Sequence, residues 1–196
     1  MHQTFPYLGF APDFPKIPPT FLWRLEIDPK TRRTVSLDIA PGCQNVCTEH
    51  MLVHPNFNTK KAQNVYGTGS NLIGDSTPPN GYVKLKVETG RTANESQLED
   101  GQFNEDVDSY WFGSRYFTTE PIIVPKDGGD LENEDDAYLL GMVRDGSNGK
   151  NFLAIFDLEK DLKEGPIAKV WLKSGVPHGI HGCFAKDSKG SPSVFC

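Results

Sequence analysis

An all-β fold is what this sequence predicts, built of small antiparallel sheets that fit the blades of a β-propeller. Three observations carry it. Strand-like alternation recurs in Leu22-Trp23-Arg24-Leu25-Glu26-Ile27-Asp28, Tyr82-Val83-Lys84-Leu85-Lys86-Val87-Glu88 and Phe152-Leu153-Ala154-Ile155-Phe156-Asp157, each closing on an acidic residue beside a turn. Successive segments begin 60 and 70 residues apart, at positions 22, 82 and 152. That interval exceeds the roughly 40–50 residues of common propeller repeats, yet it suits antiparallel blades that carry long loops. No segment shows a helical period of useful length.

The elements follow in chain order. Leu22–Asp28 turns through Pro29-Lys30-Thr31 into a second strand, Thr34–Ile39. A loop leads into a strand around Glu49. Gly67–Asn80, rich in Gly, Ser, Asn and Pro, reads as a loop before Tyr82–Glu88. Arg91–Ser109 is polar and acidic and reads as a surface insertion. Lys126–Asp136 is acidic and contains Gly, but lacks the alternating Asp and Asn ligands of a calcium loop. It is expected to be a solvated turn between strands. Phe152–Asp157 returns through Ile167-Ala168-Lys169-Val170-Trp171-Leu172. The expected result is roughly three partly complete blades, with Leu25, Ile27, Leu85, Val87, Ile155 and Phe156 buried.

Composition sets the outer limits. In 196 residues, 37% are hydrophobic and 23% charged, which is ordinary chemistry for a folded domain. A chain of this length can bury roughly 70% of its unfolded surface. The net charge of -6, without a basic cluster, repels phosphate backbones and argues against nucleic acid as a partner. No apolar run approaches the roughly 20 residues needed to cross a bilayer. Met1-His2-Gln3-Thr4-Phe5-Pro6 lacks a basic stretch followed by an apolar one, so no signal peptide is read.

Four cysteines, Cys43, Cys47, Cys183 and Cys196, do not make a disulfide scaffold at this size and are read as reduced thiols. Cys43-x3-Cys47-x2-His50-x3-His54 carries four first-row metal ligands. A zinc finger, however, needs a longer loop between its ligand pairs. The preferred reading leaves His50 and His54 as surface or cleft residues. Asn94-Glu95-Ser96 is a glycosylation sequon only in a secreted chain. Neither a Gly-x-Ser-x-Gly elbow nor an evidently activated Ser or Cys suggests a hydrolase.

The stretch richest in chemistry is Val176-Pro177-His178-Gly179-Ile180-His181-Gly182, which follows the apolar strand ending at Leu172. Flanking glycines let the backbone fold closely around an imidazole, and a rigid strand gives it a base. By itself the pattern is more often a turn histidine than a metal ligand. Two further motifs precede it: Ser114-Arg115-Tyr116-Phe117-Thr118-Thr119-Glu120-Pro121-Ile122-Ile123-Val124-Pro125 and Glu134-Asp135-Asp136-Ala137-Tyr138-Leu139-Leu140. In this order and spacing, the three resemble the C-terminal part of the carotenoid cleavage oxygenases. That family includes plant and algal carotenoid dioxygenases and the retinal pigment epithelium isomerase. The resemblance is strong from about Leu22 onward.

The resemblance implies a good deal. It makes residues 1–196 a single incomplete domain, the C-terminal blades of a seven-bladed propeller whose axis holds Fe(2+) on four histidines. His181 matches the last of these ligands, and the other three fall outside this chain. Glutamates beyond the ligands orient three of the imidazoles, and Glu120 matches one such glutamate. Glu49, in Glu49-His50-Met51-Leu52-Val53-His54-Pro55, matches a second, with His50, Met51 and His54 in place of the usual Phe, Pro and Asn. Asp13 is a local rival but precedes the Leu22–Arg24 strand, which the family's motif follows. Neither glutamate is expected to touch His181, each serving a ligand from another blade.

The implied reaction is iron-dependent cleavage by O2 of a polyene double bond in a 9-cis-epoxycarotenoid or apocarotenoid, giving two carbonyl products. The chain alone is expected to be inactive. Peripheral membrane contact is implied through regions outside this chain, and a plastid or cytoplasmic location by the family. The competing reading is a non-catalytic β-propeller binding module in which His181 and Glu120 form only a structural hydrogen-bonding pair.

Overall fold

A computed structural model describes residues 20–39, 47–70, 78–87, 107–177, 179, 181–186 and 192–195. The described residues form thirteen strands and two short 3-10 turns. The strands are β1 (Trp23–Asp28), β2 (Arg33–Ile39), β3 (Cys47–Leu52), β4 (Asn64–Ser70), β5 (Gly81–Lys86) and β6 (Val107–Trp111). They continue as β7 (Tyr116–Thr118), β8 (Ile122–Pro125), β9 (Ala137–Asp145), β10 (Lys150–Asp157), β11 (Ala168–Trp171), β12 (Cys183–Lys186) and β13 (Pro192–Phe195). The all-β expectation holds, and the sheets are arranged as consecutive blades of a partial propeller.

All strand pairings are antiparallel. One sheet runs β3-β4-β5-β6, and another runs β11-β10-β9, with β7 and β8 sharing the far edge of β9. The two-stranded sheets β1–β2 and β12–β13 complete the set. Three partly complete blades were expected, so this is a correction: two sheets four positions wide, plus two hairpins. The strongly alternating strands were legible, whereas β3, β4 and β6 carry polar or glycine residues that read as loop.

Most of the core lies between the two large sheets. Tyr66 and Tyr82 from one meet Ile123, Leu139, Val143, Phe152, Ala154 and Phe156 from the other. β9 shows the cause in its sequence: Ala137, Leu139, Gly141, Val143 and Asp145 are buried, and the residues between them are half-buried. Rings of Tyr82, Tyr110 and Phe112 approach Phe156 edge-on at 5.8, 5.6 and 6.3 Å, a geometry that ring quadrupoles favour. Burial pushes the Tyr82 hydroxyl far above its usual range. Its proton goes to the Met142 carbonyl, 3.3 Å away. Val83 and Leu85 face the other way, toward Ile39, Met51 and Trp111.

Two of the acidic residues that end strands have a local purpose. Asp28 accepts from the Lys30 amide at 2.7 Å and the Thr31 hydroxyl at 2.8 Å, which holds its carboxyl below the usual range. Asp145 does the same for Ser147 and Asn148 in the β9–β10 turn. Such side-chain turns set the hairpin connection.

Several expectations are corrected. Leu25 and Ile27 are 53% and 54% exposed, on a face shared with Trp23 and Leu37. Their hairpin is two strands wide, and its Leu22 and Ile39 end packs against Val83 and Leu85 while the positions of Leu25 and Ile27 stay exposed. Leu85 and Phe156 are buried as expected, while Val87 and Ile155 are half-buried. Gly67–Ser70 is strand rather than loop. A side chain at Gly67 would collide with Met51 and the Glu49 carbonyl, so glycine is what lets β3 lie so close. Val107–Ser109 belongs to β6, and residues 88–106 lie outside the described residues. Cys47 starts β3 instead of lying in a loop before it, and its sulfur sits 3.1 Å from the Thr20 hydroxyl.

His54 is also not a surface residue: it is 1% exposed. Its Nδ1 accepts from the Asn56 amide at 3.2 Å, capping the turn Pro55–Phe57, and its Nε2 is buried without a partner. Burial pulls its pKa below the usual value of 6.5. The sign follows: below about pH 6.5 the unfolded chain takes up a proton that the folded one resists, so stability falls as pH falls. His54→Asn keeps a capping oxygen and removes the titration. Between pH 7 and 5.5 the variant should lose less melting temperature than the unmodified chain. Equal losses would show that His54 does not govern this window.

Candidate metal centre

The connection from β11 to β12 is pinned at two points. Asn151, at the start of β10, accepts the Leu172 amide on its backbone carbonyl at 2.9 Å and the Val176 amide on its side chain at 3.4 Å. At the far end the Gly182 amide donates to Glu120 Oε2 at 3.4 Å. His181 lies between these anchors, its side chain 72% exposed. Glycines on either side let the backbone pass without crowding the ring.

Glu120 occupies a break in the strand edge. β7 ends at Thr118, and the Thr119 amide donates to the Met142 carbonyl at 3.1 Å. Pro121 has no amide proton to continue the ladder, and pairing resumes at Ile122, opposite Leu140. The break turns Glu120 out of the sheet toward the β11–β12 connection. Its Oε2 stands 3.0 Å from His181 Nδ1. A carboxylate only accepts, so Nδ1 carries a hydrogen and Nε2 is the nitrogen left for a ligand.

The contact overturns one expectation. Glu120 was to serve a ligand from another blade and stay clear of His181; instead it holds His181 itself. The physical reason is proximity. The break at Pro121 and the pinned connection bring a half-buried carboxylate beside a ring N–H, and the hydrogen bond spares that carboxylate an uncompensated loss of solvent.

The neighbouring large sheet has an irregularity at the matching place on its own first strand. Glu49 pairs with Thr68 and Leu52 with Tyr66, leaving two residues of β3 opposite one of β4. This is a β-bulge, and within it His50 has φ 52°. The bulge places the His50 ring 5.7 Å from that of His181, at 87° to it. His50 Nδ1 lies 3.3 Å from the Thr68 hydroxyl, which donates to the Glu49 carbonyl at 3.0 Å. Glu49 is half-buried beside it.

Glu49 thus sits on β3, Glu120 between β7 and β8, and His181 just before β12, in three successive sheets. Sequence reasoning missed two contributors. His50 carried a signal, because it departs from the motif that Glu49 matches. Asn151 carried none, since a polar residue at a strand start is ordinary. His178, Cys43, Cys196, Asp13 and the Asn94 sequon lie outside the described residues, as does the side chain of Cys183. His54 points its Nδ1 into its own turn, so it is not available to the zinc arrangement considered above.

Among the described residues no group of three or more His, Cys, Asp or Glu side chains is placed to hold a metal ion. What His181 offers is one oriented imidazole, its inner nitrogen fixed by a carboxylate and its outer nitrogen free. That donor fits one position of a nitrogen-ligated centre. Beside it lies an apolar cleft of about 100 Å³ walled by Ile122, Leu140, Met142, Leu153, Val176 and Pro177. Ligand pockets typically run to roughly 300–1,000 Å³, so the cleft amounts to part of a site.

The retinal pigment epithelial membrane protein family model matches residues 3–186, further toward the N-terminus than the sequence motifs reach. A carotenoid 9,10(9',10')-cleavage dioxygenase of Crocus sativus is 28% identical over 70% of this chain and 24% of its own length. An apocarotenoid-15,15'-oxygenase of Synechocystis is 28% identical over 89% of this chain and 31% of its own. Solved structures of Synechocystis apocarotenoid oxygenase superimpose with a TM-score of 0.71 for one variant, at 27% identity over 89% of this chain and 32% of that one. Its cobalt-substituted form gives 0.69, at 25% identity over 94% and 32%. The chain spans about a quarter to a third of the length of these relatives.

Proposed function

Because this chain belongs to the retinal pigment epithelial membrane protein family, we propose that it supplies part of the metal centre of an oxygenase that cleaves carotenoid or apocarotenoid double bonds. The observation that carries this reading is the His181–Glu120 pair, with Nδ1 held at 3.0 Å and Nε2 turned outward. His181 Nε2 is one ligand of Fe(2+), and further ligands come from blades outside this chain. Bound there, divalent iron supplies a site at which O2 is activated toward a polyene.

The chain's own residues do the positioning. Glu120 orients the His181 ring by accepting the inner N–H. Asn151 and the Gly182 amide hold the connection that carries the ring, so little ordering cost falls on metal binding. Glu49, at the bulge of β3, is the matching carboxylate for a ligand of a neighbouring blade. The cleft walls are mostly apolar and favour a hydrocarbon surface, and their two titratable groups, Glu120 and His181, are paired with each other, which suits a reaction needing no proton transfer to the substrate. In that reaction the C=C and O–O bonds break and two C=O bonds form, so each product keeps one oxygen atom. The relatives named for carotenoid cleavage support this class.

The test uses the whole protein, loaded with iron and supplied with a panel of carotenoids and apocarotenoids under air and under argon. Carbonyl products should appear with O2 alone. Glu120→Gln should retain the fold and lose about 10- to 100-fold in iron affinity or turnover. Iron content and turnover unchanged in that variant would remove the orienting role.

A further inference from the structure

Beyond the single ligand that the family motif assigns, we propose that His50 and His181 together form a two-imidazole site for a divalent first-row metal ion within this chain. The proposal rests on reading His181 as a metal ligand and adds His50 to it. Its starting point is a hydrogen count. The Thr68 hydroxyl has one hydrogen, which goes to the Glu49 carbonyl at 3.0 Å. Its contact with His50 Nδ1 at 3.3 Å therefore has the imidazole as donor. Nδ1 of His50 carries a proton, and Nε2 is the nitrogen left for a metal ion. His181 reaches the same state through Glu120. In both rings the inner nitrogen is anchored as a donor, so Nε2 is the nitrogen available to a metal ion.

Reach comes next. An ion about 2.1 Å from an imidazole nitrogen lies about 3.2 Å from that ring's centre, so two rings sharing it have centres up to roughly 6.4 Å apart. The observed 5.7 Å falls inside that limit. Closing to the spacing of a tetrahedral site takes a few tenths of an ångström, well within the freedom of an exposed ring such as His181. The backbone supports the same assignment. His50 adopts φ 52° in a bulge, a conformation that non-glycine residues seldom hold and that aims its ring at the neighbouring sheet. A third protein ligand is not found among the described residues, so water completes the coordination and the affinity is modest.

The experiment titrates the chain with cobalt(II), followed by calorimetry and by the visible absorption of the ion. One ion per chain should bind. His181→Ala should weaken binding by about 10-fold or more. His50→Asn, which tolerates the positive φ while removing the imidazole, should weaken it by a similar factor with an unchanged melting temperature. Loss in His181→Ala alone would overturn the pairing while leaving His181 as a ligand. Absence of cobalt binding to the unmodified chain would overturn it as well. The iron content of the whole protein carrying His181→Ala tests the ligand reading separately.

Discussion

His181→Ala in the whole protein should strip iron from the purified enzyme and lower carotenoid cleavage by more than about 100-fold. The estimate is a lower bound, since losing a group that merely orients a ligand already costs about 10- to 100-fold. His181→Ala removes the bond itself. His178→Ala should leave most of the iron and activity, because the family motif places the ligand at His181 and often carries Tyr at the position of His178. Metal analysis of both proteins decides the matter. An iron-free His178 variant beside a loaded His181 variant would reverse the assignment. Retention of the fold in His181→Ala is expected, because the ring is largely exposed and its connection is held by backbone contacts to Asn151 and Glu120.

The second large effect concerns the core between the sheets. Phe156→Ala should destabilise the chain by about 3–5 kcal/mol, the range for removing a large aromatic side chain from a packed interior. Phe156 is 1% exposed and is ringed by Tyr82, Tyr110 and Phe112. Those groups belong to β5, β6 and the residue just after β6, so the cavity would open at the seam between the two large sheets. Tightly packed interiors relax only in part around such a hole. In melting temperature the loss is roughly 10 °C for a chain of this size. Leu25→Ala should cost less than about 1 kcal/mol, because half of that side chain already faces solvent. Thermal melts of the two variants check both values together. Comparable losses would mean that the β1–β2 hairpin is better covered than its exposure indicates.

These two expectations differ in how early they could have been formed. Strand alternation in Tyr82–Lys86 and Phe152–Asp157 marks core strands, and Leu85 and Phe156 follow from it. The same alternation in Leu25 and Ile27 misleads. Period two reports which side chains share a face; whether anything covers that face depends on a second layer that local sequence does not encode. The glycine strand β4 failed in the opposite direction. Gly67 and Gly69 read as loop, yet they are required where Met51, Val83 and Trp111 press against the strand.

For the site, the sequence by itself determined the residue types and their order: Glu49, Glu120 and His181, in motifs that identify the family. Those motifs are local, so a linear reading captures them. The tertiary structure alone decided which residue serves which. Glu120 and His181 are 61 positions apart and meet at 3.0 Å, because a proline breaks the β7–β8 edge and Asn151 and Glu120 pin the β11–β12 connection. His50 is brought beside His181 by a bulge and a positive φ, a backbone departure that no residue pattern announces. Hydrogen bonds and ring contacts have ranges of a few ångströms, and across sheets that proximity is set by topology, not by sequence separation.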